Sequence, residues 1–253
     1  MKYSQFYSEM CKILPKECSC PWDNDGNMLC LDGEGHIKRI LIALDITLPA
    51  IEYAKEKGYD LILSHHPLIF KPMKGITSEG ITGKRVCKLI KYGISAMSFH
   101  TRLDTKAVNE ALCEKLELRN VREFDLEGIP MGRIGELGKE MTCAEFAEYV
   151  KEHLCAPSVE FPNIDKVIKN VAVLGGSGGD AISDAVMAGA DCLLTGECGY
   201  NKSLDSAEDD FPVFAAGHFF TENPVCEHIG KIINEIDKEL EWEIYSSNIF
   251  SVK

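Results

Sequence analysis

The segment Gly58-Tyr-Asp-Leu-Ile-Leu-Ser64 reads onto Gly189-Ala-Asp-Cys-Leu-Leu-Thr195 at an offset of 131 without a gap. Ile40 to Ala43 reads onto Val171 to Leu174 at the same offset. A third pair of apolar runs corresponds at an offset of 118, which sets His100 against His218 and Asp104 against Glu222. Three matches in order predict an internal duplication. The 13-residue difference falls in the loops after His66 and Glu197, where insertions are tolerated. The period is too long for a solenoid. The prediction is therefore two pseudo-symmetric α/β lobes, residues 1–125 and 126–253, that form one interlocked unit.

Each copy alternates short apolar runs with helical stretches. Arg39 to Leu44, Asp60 to Ser64 and Ile94 to Phe99 read as buried strands. Leu48 to Lys57 and Gly83 to Tyr92 read as helices stopped by Gly58 and Gly93, natural left-handed caps. Ala107 to Leu116 reads as a helix with Asp104 or Thr105 near its N-cap. In the second copy, strands are expected at 170–174, 191–195 and 212–216, with helices at 181–188 and 225–240. Strands separated by helices imply a parallel sheet, whose ligands gather at the carboxyl ends of the strands.

Those ends carry the chemistry. His65-His66 follows a strand and is bent by Pro67, so adjacent imidazoles aim at neighbouring but different points. This suits two metal ions better than one; the plain alternative is a hydrogen-bonded histidine pair. His100-Thr-Arg-Leu-Asp104 and His218-Phe-Phe-Thr-Glu222 each place a histidine at a strand end and an acid four residues beyond it. Alone, Asp104 reads as an N-cap and Glu222 as a helix-dipole partner. Together they crowd one sheet edge with His, Asp and Glu, a set that calls for cations. Glu197 in Thr195-Gly196-Glu197 reads as a partner to that site, as a base, or as an exposed loop carboxylate.

Other features are weaker. Gly175-Gly-Ser-Gly-Gly179 is expected to be a tight strand–helix turn, with an anion cradle as the second reading. Trp22-Asp-Asn-Asp-Gly26 reads as a turn with the indole packed beneath it. The net charge of −13 argues against nucleic acid or an anionic membrane as partner. Against that background Lys71, Lys74, Lys84, Arg85, Lys88 and Lys91 are opposed only by Glu79, as a solvated helix face or an anion-steering patch. The 11 cysteines lack a disulfide rhythm, and neither a leader nor a membrane-length apolar run is visible, so a soluble cytoplasmic protein is expected. Cys18 and Cys20 do not complete a zinc pattern with Cys11 and Cys30.

Taken together, Trp22-Asp-Asn-Asp-Gly26, Ser64-His-His-Pro-Leu-Ile-Phe70, His100-Thr-Arg-Leu-Asp104, Gly175-Gly-Ser-Gly178, Thr195-Gly-Glu197 and Gly217-His-Phe-Phe-Thr-Glu222 resemble the NIF-three-like dinuclear-metal family, the GTP cyclohydrolase 1 type 2 homologues. The resemblance implies a two-lobed α/β fold assembled as a toroidal homohexamer, a trimer of dimers. It implies two divalent ions per subunit, zinc, iron or manganese, with His65, His66, Asp104, His218 and Glu222 as ligands and Glu222 bridging. His100 and Glu197 are the expected catalytic residues near the metals. The implied activity is metal-assisted hydrolysis, as in opening a purine ring of GTP or a related cyclic amide, with a nucleotide or other anionic small molecule as ligand. The alternative is a metal-handling protein without catalysis that acts through partners. Two departures stand out: Cys30 replaces an expected glycine, and Arg102 replaces an expected asparagine, where it is placed to alter substrate preference.

Overall fold

The structure is a computed structural model and describes residues 1–251. Contacts divide the chain into two compact units, Met1–Leu103 with Val225–Ile249, and Asp104–Pro224. This differs from a single cut between residues 125 and 126. The reason is a strand, Glu241–Tyr245, that pairs in parallel with Arg39–Ala43 and so returns the C-terminal segment to the first sheet.

The strands are β1 (Gly26–Leu29), β2 (Arg39–Ala43), β3 (Leu61–Ser64), β4 (Ser95–Ser98), β5 (Arg119–Leu126), β6 (Ile129–Thr142), β7 (Val167–Ser177), β8 (Cys192–Glu197), β9 (Val213–Ala215) and β10 (Glu241–Tyr245). The first unit holds a sheet in the order β1-β4-β3-β2-β10, parallel except for β1. The second holds β5-β6-β7-β8-β9, in which β7, β8 and β9 are parallel and β5 and β6 form an antiparallel extension.

The parallel triplets carry the duplication. Ile40 pairs with Leu61, and Val171 pairs with Cys192, which keeps the 131 offset in register. The third strands differ by one residue. Ser64 pairs with Ser98 whereas Thr195 pairs with Ala215, an offset of 117 rather than the 118 that relates His100 to His218. The extra residue lies before His218, where Gly217 takes a φ of 89° that a side chain would resist.

Helices form where local signals agree. Thr47 caps Leu48–Lys57 by accepting from the Ala50 N–H at 3.2 Å, and Gly58 ends the helix at φ 74°. Ile81–Tyr92 ends the same way at Gly93. The helix Cys143–Leu154 opens with a reciprocal cap between Thr142 and Glu145. The first unit packs Leu41, Ile51, Ile62, Leu89 and Ala96 into one core. The second packs Phe146, Val150, Val171, Leu194 and Phe214 into another. Burial of such side chains is worth about 1.5–3 kcal/mol each. Among the described residues no helix is long and apolar enough to cross a membrane.

Candidate metal centre

The end of β3 turns because Ser64 works locally. Its hydroxyl donates to the His66 carbonyl at 2.8 Å and lies 2.8 Å from the Ser98 hydroxyl, while the His66 N–H donates to the Leu44 carbonyl. His100 follows β4, the next strand over. The three rings gather in the first unit, with centroids 4.9 Å apart for His65–His66, 5.1 Å for His65–His100 and 5.7 Å for His66–His100. Each offers a ring nitrogen within 4.8 Å of the other two.

The Nδ1 atoms decide what these rings can do. His65 Nδ1 lies 3.2 Å from the Phe99 carbonyl oxygen, which can only accept. The proton of the neutral ring therefore sits on Nδ1, and the lone pair sits on Nε2. His66 Nδ1 meets the Asp45 carboxylate at 2.9 Å, and His100 Nδ1 meets the Asp23 carboxylate at 3.0 Å. An acceptor behind each Nδ1 orients the ring and fixes its tautomer, the usual backing of a histidine at a metal site. His65 is fully buried.

Asp23 is the strongest of these supports. Its side chain is wholly buried. Burial disfavours its charge, yet bonds from His100, from the Thr101 hydroxyl at 2.7 Å and from the Thr101 N–H at 3.0 Å outweigh that and hold the carboxyl well below the usual range. Asp23 thereby also caps the helical segment that begins at Thr101. The expected helix start after Asp104 is corrected on this point: helix runs through Thr101–Leu103, a π-turn over Asp104–Val108 and then Asn109–Lys115. Asp104 is the first residue of the π-turn, a local widening found often at functional sites, and not the N-cap.

A separate group stands in the second unit: Asp104, Glu197, His218 and Glu222. Asp104 and Glu222 offer carboxylate oxygens within 4.8 Å of each other, and His218 Nε2 lies 2.9 Å from Glu222 Oε2. Glu222 is buried. Two carboxylates this close repel each other when both ionise, so the pair favours a cation. Glu197 Oε1 stands 3.4 Å from His218 Nδ1, the position that Asp45 and Asp23 occupy behind His66 and His100. The fourth histidine has the same kind of backing as the first three.

The glycine segment frames this set. Gly176 has a φ of 69°, and a Cβ there would run into Glu222 Oε1 and come within 3.3 Å of His218 Nε2. The missing side chain is the space the carboxylate occupies. A Cβ on Gly196 would meet the Gly176 carbonyl and the His218 backbone at 2.6 and 2.7 Å, so glycine there lets the helix His218–Glu222 close against β8. The anion-cradle reading of residues 175–179 gains no support. The N–H groups of Gly175, Gly176 and Gly178 donate to Asn109, Thr221 and Thr195 side chains, and the segment begins as a continuation of β7.

Metal fits this donor chemistry. Three imidazoles with backed Nδ1 atoms, and two carboxylates beside a fourth, match ions that take nitrogen and oxygen ligands. The sequence reading did not single out Asp45 or Asn109 and gave Asp23 no role beyond a turn. Asp23 lay inside the Trp22–Gly26 cluster, which was the available signal. Asn109 is buried, bonds the Asp104 carbonyl at 3.4 Å and the Met131 carbonyl at 2.8 Å, and receives the Gly175 N–H, so it ties the π-turn to the glycine segment.

Two expectations are corrected. Trp22 does not pack under its turn but stands 63% exposed. Arg102 is not aimed at a substrate: it is 2% exposed, grips Asp25 with two nitrogens, donates to the Leu14 carbonyl at 2.9 Å and lies over the Phe99 ring. Of the basic run, Lys88 is drawn to Glu52 on the neighbouring helix, whereas Lys71 and Lys74 sit in an exposed loop.

Comparison with known proteins agrees with this fold. A GTP cyclohydrolase 1 type 2 homolog of Clostridium perfringens is 34% identical over 250 residues, covering 96% of this chain and 95% of that protein. The protein of the same name from Clostridium acetobutylicum is 34% identical over 234 residues, covering 85% of each. The crystal structure of Staphylococcus aureus protein SA1388 matches with a TM-score of 0.89 at 25% identity, covering 100% of this chain and 99% of that one. Reduced HcgD from Methanocaldococcus jannaschii matches with a TM-score of 0.80 at 27% identity, covering 98% of each. The family model described as Duf34/NIF3 (NGG1p interacting factor 3) matches residues 1–251, and the chain belongs to that family.

Proposed function

We propose that the chain is a dinuclear-metal hydrolase acting on a purine nucleotide or a related cyclic amide. The observation that carries this reading is the pair of Nδ1 bonds behind His65 and His66, which presents their Nε2 atoms as ligands. The shared name of the clostridial relatives supports the substrate class. In this proposal His65, His66, Asp104, His218 and Glu222 would hold two divalent ions, zinc, iron or manganese. Bound divalent ions supply Lewis acidity and lower the pKa of water.

The chain's own groups manage the rest. The Asp23 carboxylate orients the His100 ring through Nδ1, so that His100 can accept a proton at Nε2 and give it to a leaving group. Glu197 is exposed beside His218 and acts as the second proton carrier. The toroidal homohexamer and the cytoplasmic setting belong to the same proposal; a hexamer in light scattering supports the first, and a monomer overturns it.

The test is turnover at known metal occupancy. Elemental analysis should find two ions per chain in the wild type and fewer in His66→Ala. With both ions present, GTP should be consumed with release of formate. No turnover of GTP or simple phosphoesters above the His66→Ala background would overturn the hydrolase reading. Tightly held, exchangeable metal without turnover would support a metal-handling role instead.

A further inference from the structure

Two large aromatic rings stand exposed beside His100. Trp22 is 63% and Phe70 is 47% exposed. Their centroids are 6.2 Å apart with the planes at 69°. Each lies 6.1 Å from the His100 ring, at 72° for Trp22 and 86° for Phe70. The three rings form a corner, in which a fourth ring lying flat on one face meets another edge-on. Both arrangements are favourable for aromatic pairs.

The exposure is built in. The Cys20 N–H donates to the Thr101 hydroxyl at 2.8 Å, Asp23 is bound to His100 and Thr101, and the Asn24 side chain donates to the Ile69 carbonyl next to Phe70. Residues on both sides of Trp22 are thus anchored, and the same bonds carry the Phe70 segment. An indole is a large apolar group that folding ordinarily buries. Here the backbone is fixed with the indole turned outward, at the rim of the histidine cluster. Charge adds a second clue. Lys71 follows Phe70, Lys74 lies three residues further, and residues 71–80 are all exposed, in a chain of net charge −13.

We propose that Trp22 and Phe70 form a stacking platform for the planar ring of a nucleobase-type heterocycle, with Lys71 and Lys74 receiving an anionic substituent of the same ligand. The inference rests on the reading of the histidine cluster as the reactive centre, and it names what binds beside it. A nucleotide has both parts: a flat ring for the corner and phosphates for the lysines.

The chain has two tryptophans, so Trp242→Phe leaves Trp22 as the single indole. In the full-length, metal-loaded protein carrying that change, GTP and guanosine should quench Trp22 emission saturably, and inorganic tripolyphosphate should not. In calorimetry, Trp22→Ala should weaken GTP binding by roughly tenfold or more, the scale of one lost base–aromatic stack, with tripolyphosphate binding and metal content unchanged. Trp22→Tyr should recover most of the affinity, and Phe70→Ala should lose part of it. These two variants decide the matter if the alanine variant of Trp22 does not fold. Absence of saturable quenching, or GTP affinity within twofold of wild type in Trp22→Ala and Phe70→Ala, overturns the platform. A change in oligomer size with unchanged GTP affinity also overturns it, by making the surface a contact between copies. Quenching without turnover leaves the platform standing and sinks only the hydrolase reading; turnover without quenching does the reverse.

Discussion

Asp23 and His100 are 77 residues apart in the chain and 3.0 Å apart in the fold, carboxylate to Nδ1. The same carboxylate holds the Thr101 N–H and hydroxyl, so one side chain fixes both the imidazole and the start of the helical segment that follows. Asp23→Asn keeps the shape and removes the charge. Turnover at full metal occupancy should fall by about 10–100-fold, the scale seen when a hydrogen-bond partner around a metal site is lost, with metal content unchanged. Unchanged turnover would remove His100 and its partner from the reaction.

Gly176 tests the acid and histidine group of the second unit. Gly176→Ala adds a Cβ where Glu222 Oε1 sits and forces alanine into a φ of 69°. The backbone strain alone costs about 1–2 kcal/mol. Gly189→Ala is the matched control, because Gly189 has a φ of 82° and open space around its Cβ position. Both variants should lose stability in thermal melts, and only Gly176→Ala should lose bound metal. Equal metal content in the two would mean that the glycine serves the turn and not the carboxylate.

What was legible in the sequence follows the range of the forces involved. Gly58 and Gly93 end their helices as expected, because a left-handed cap is a local event. The β2-β3 register repeats in β7-β8, because short buried strands carry their own apolar pattern. β5 was missed because seven of its eight residues are not buried, which leaves little alternation to read. β10 was missed because its strand status depends on pairing with β2, some 200 residues away in the chain. The histidines and acids could be chosen by type and spacing. Their supports could not: Asp45 reaches His66 across 21 residues and Asp23 reaches His100 across 77. The N-cap reading of Asp104 failed for the same reason, since the cap comes from Asp23.

Arg102 should matter for stability. Its guanidinium and the Asp25 carboxylate are both buried, 2.9 Å apart at the closest pair of atoms, and the Leu14 carbonyl takes a further N–H. Arg102→Leu leaves Asp25 with Lys16, 3.0 Å away on the solvent side, and should cost about 3–5 kcal/mol in denaturant unfolding. The double variant Arg102→Leu, Asp25→Leu should recover a substantial part of that loss, because no buried charge is then stranded. Ligand affinity in Arg102→Lys should change little if the protein is folded. A selective loss of GTP binding there would restore the substrate-facing role that its burial argues against.

Alkaline pH should unfold the second unit through its thiols. Burial, reinforced by the Glu110 charge, pushes the Cys113 thiol from 9.0 up to about 12, and burial with Asp191 nearby pushes Cys192 well above its ordinary value. A thiol whose folded-state pKa is raised holds its proton in the folded protein after the unfolded chain has lost it. Its contribution is therefore complete below pH 9, declines as pH rises through 9 and is gone above the folded value. A rise from 9.0 to about 12 would amount to roughly 4 kcal/mol for Cys113 at the upper limit. The unfolding free energy should fall steadily between pH 9 and pH 12 in the wild type. Cys113→Ala with Cys192→Ala should begin lower, from the lost packing, and fall less steeply over the same interval. Parallel slopes in the two proteins would show that other groups, the tyrosines and lysines that titrate in the same range, govern the alkaline transition.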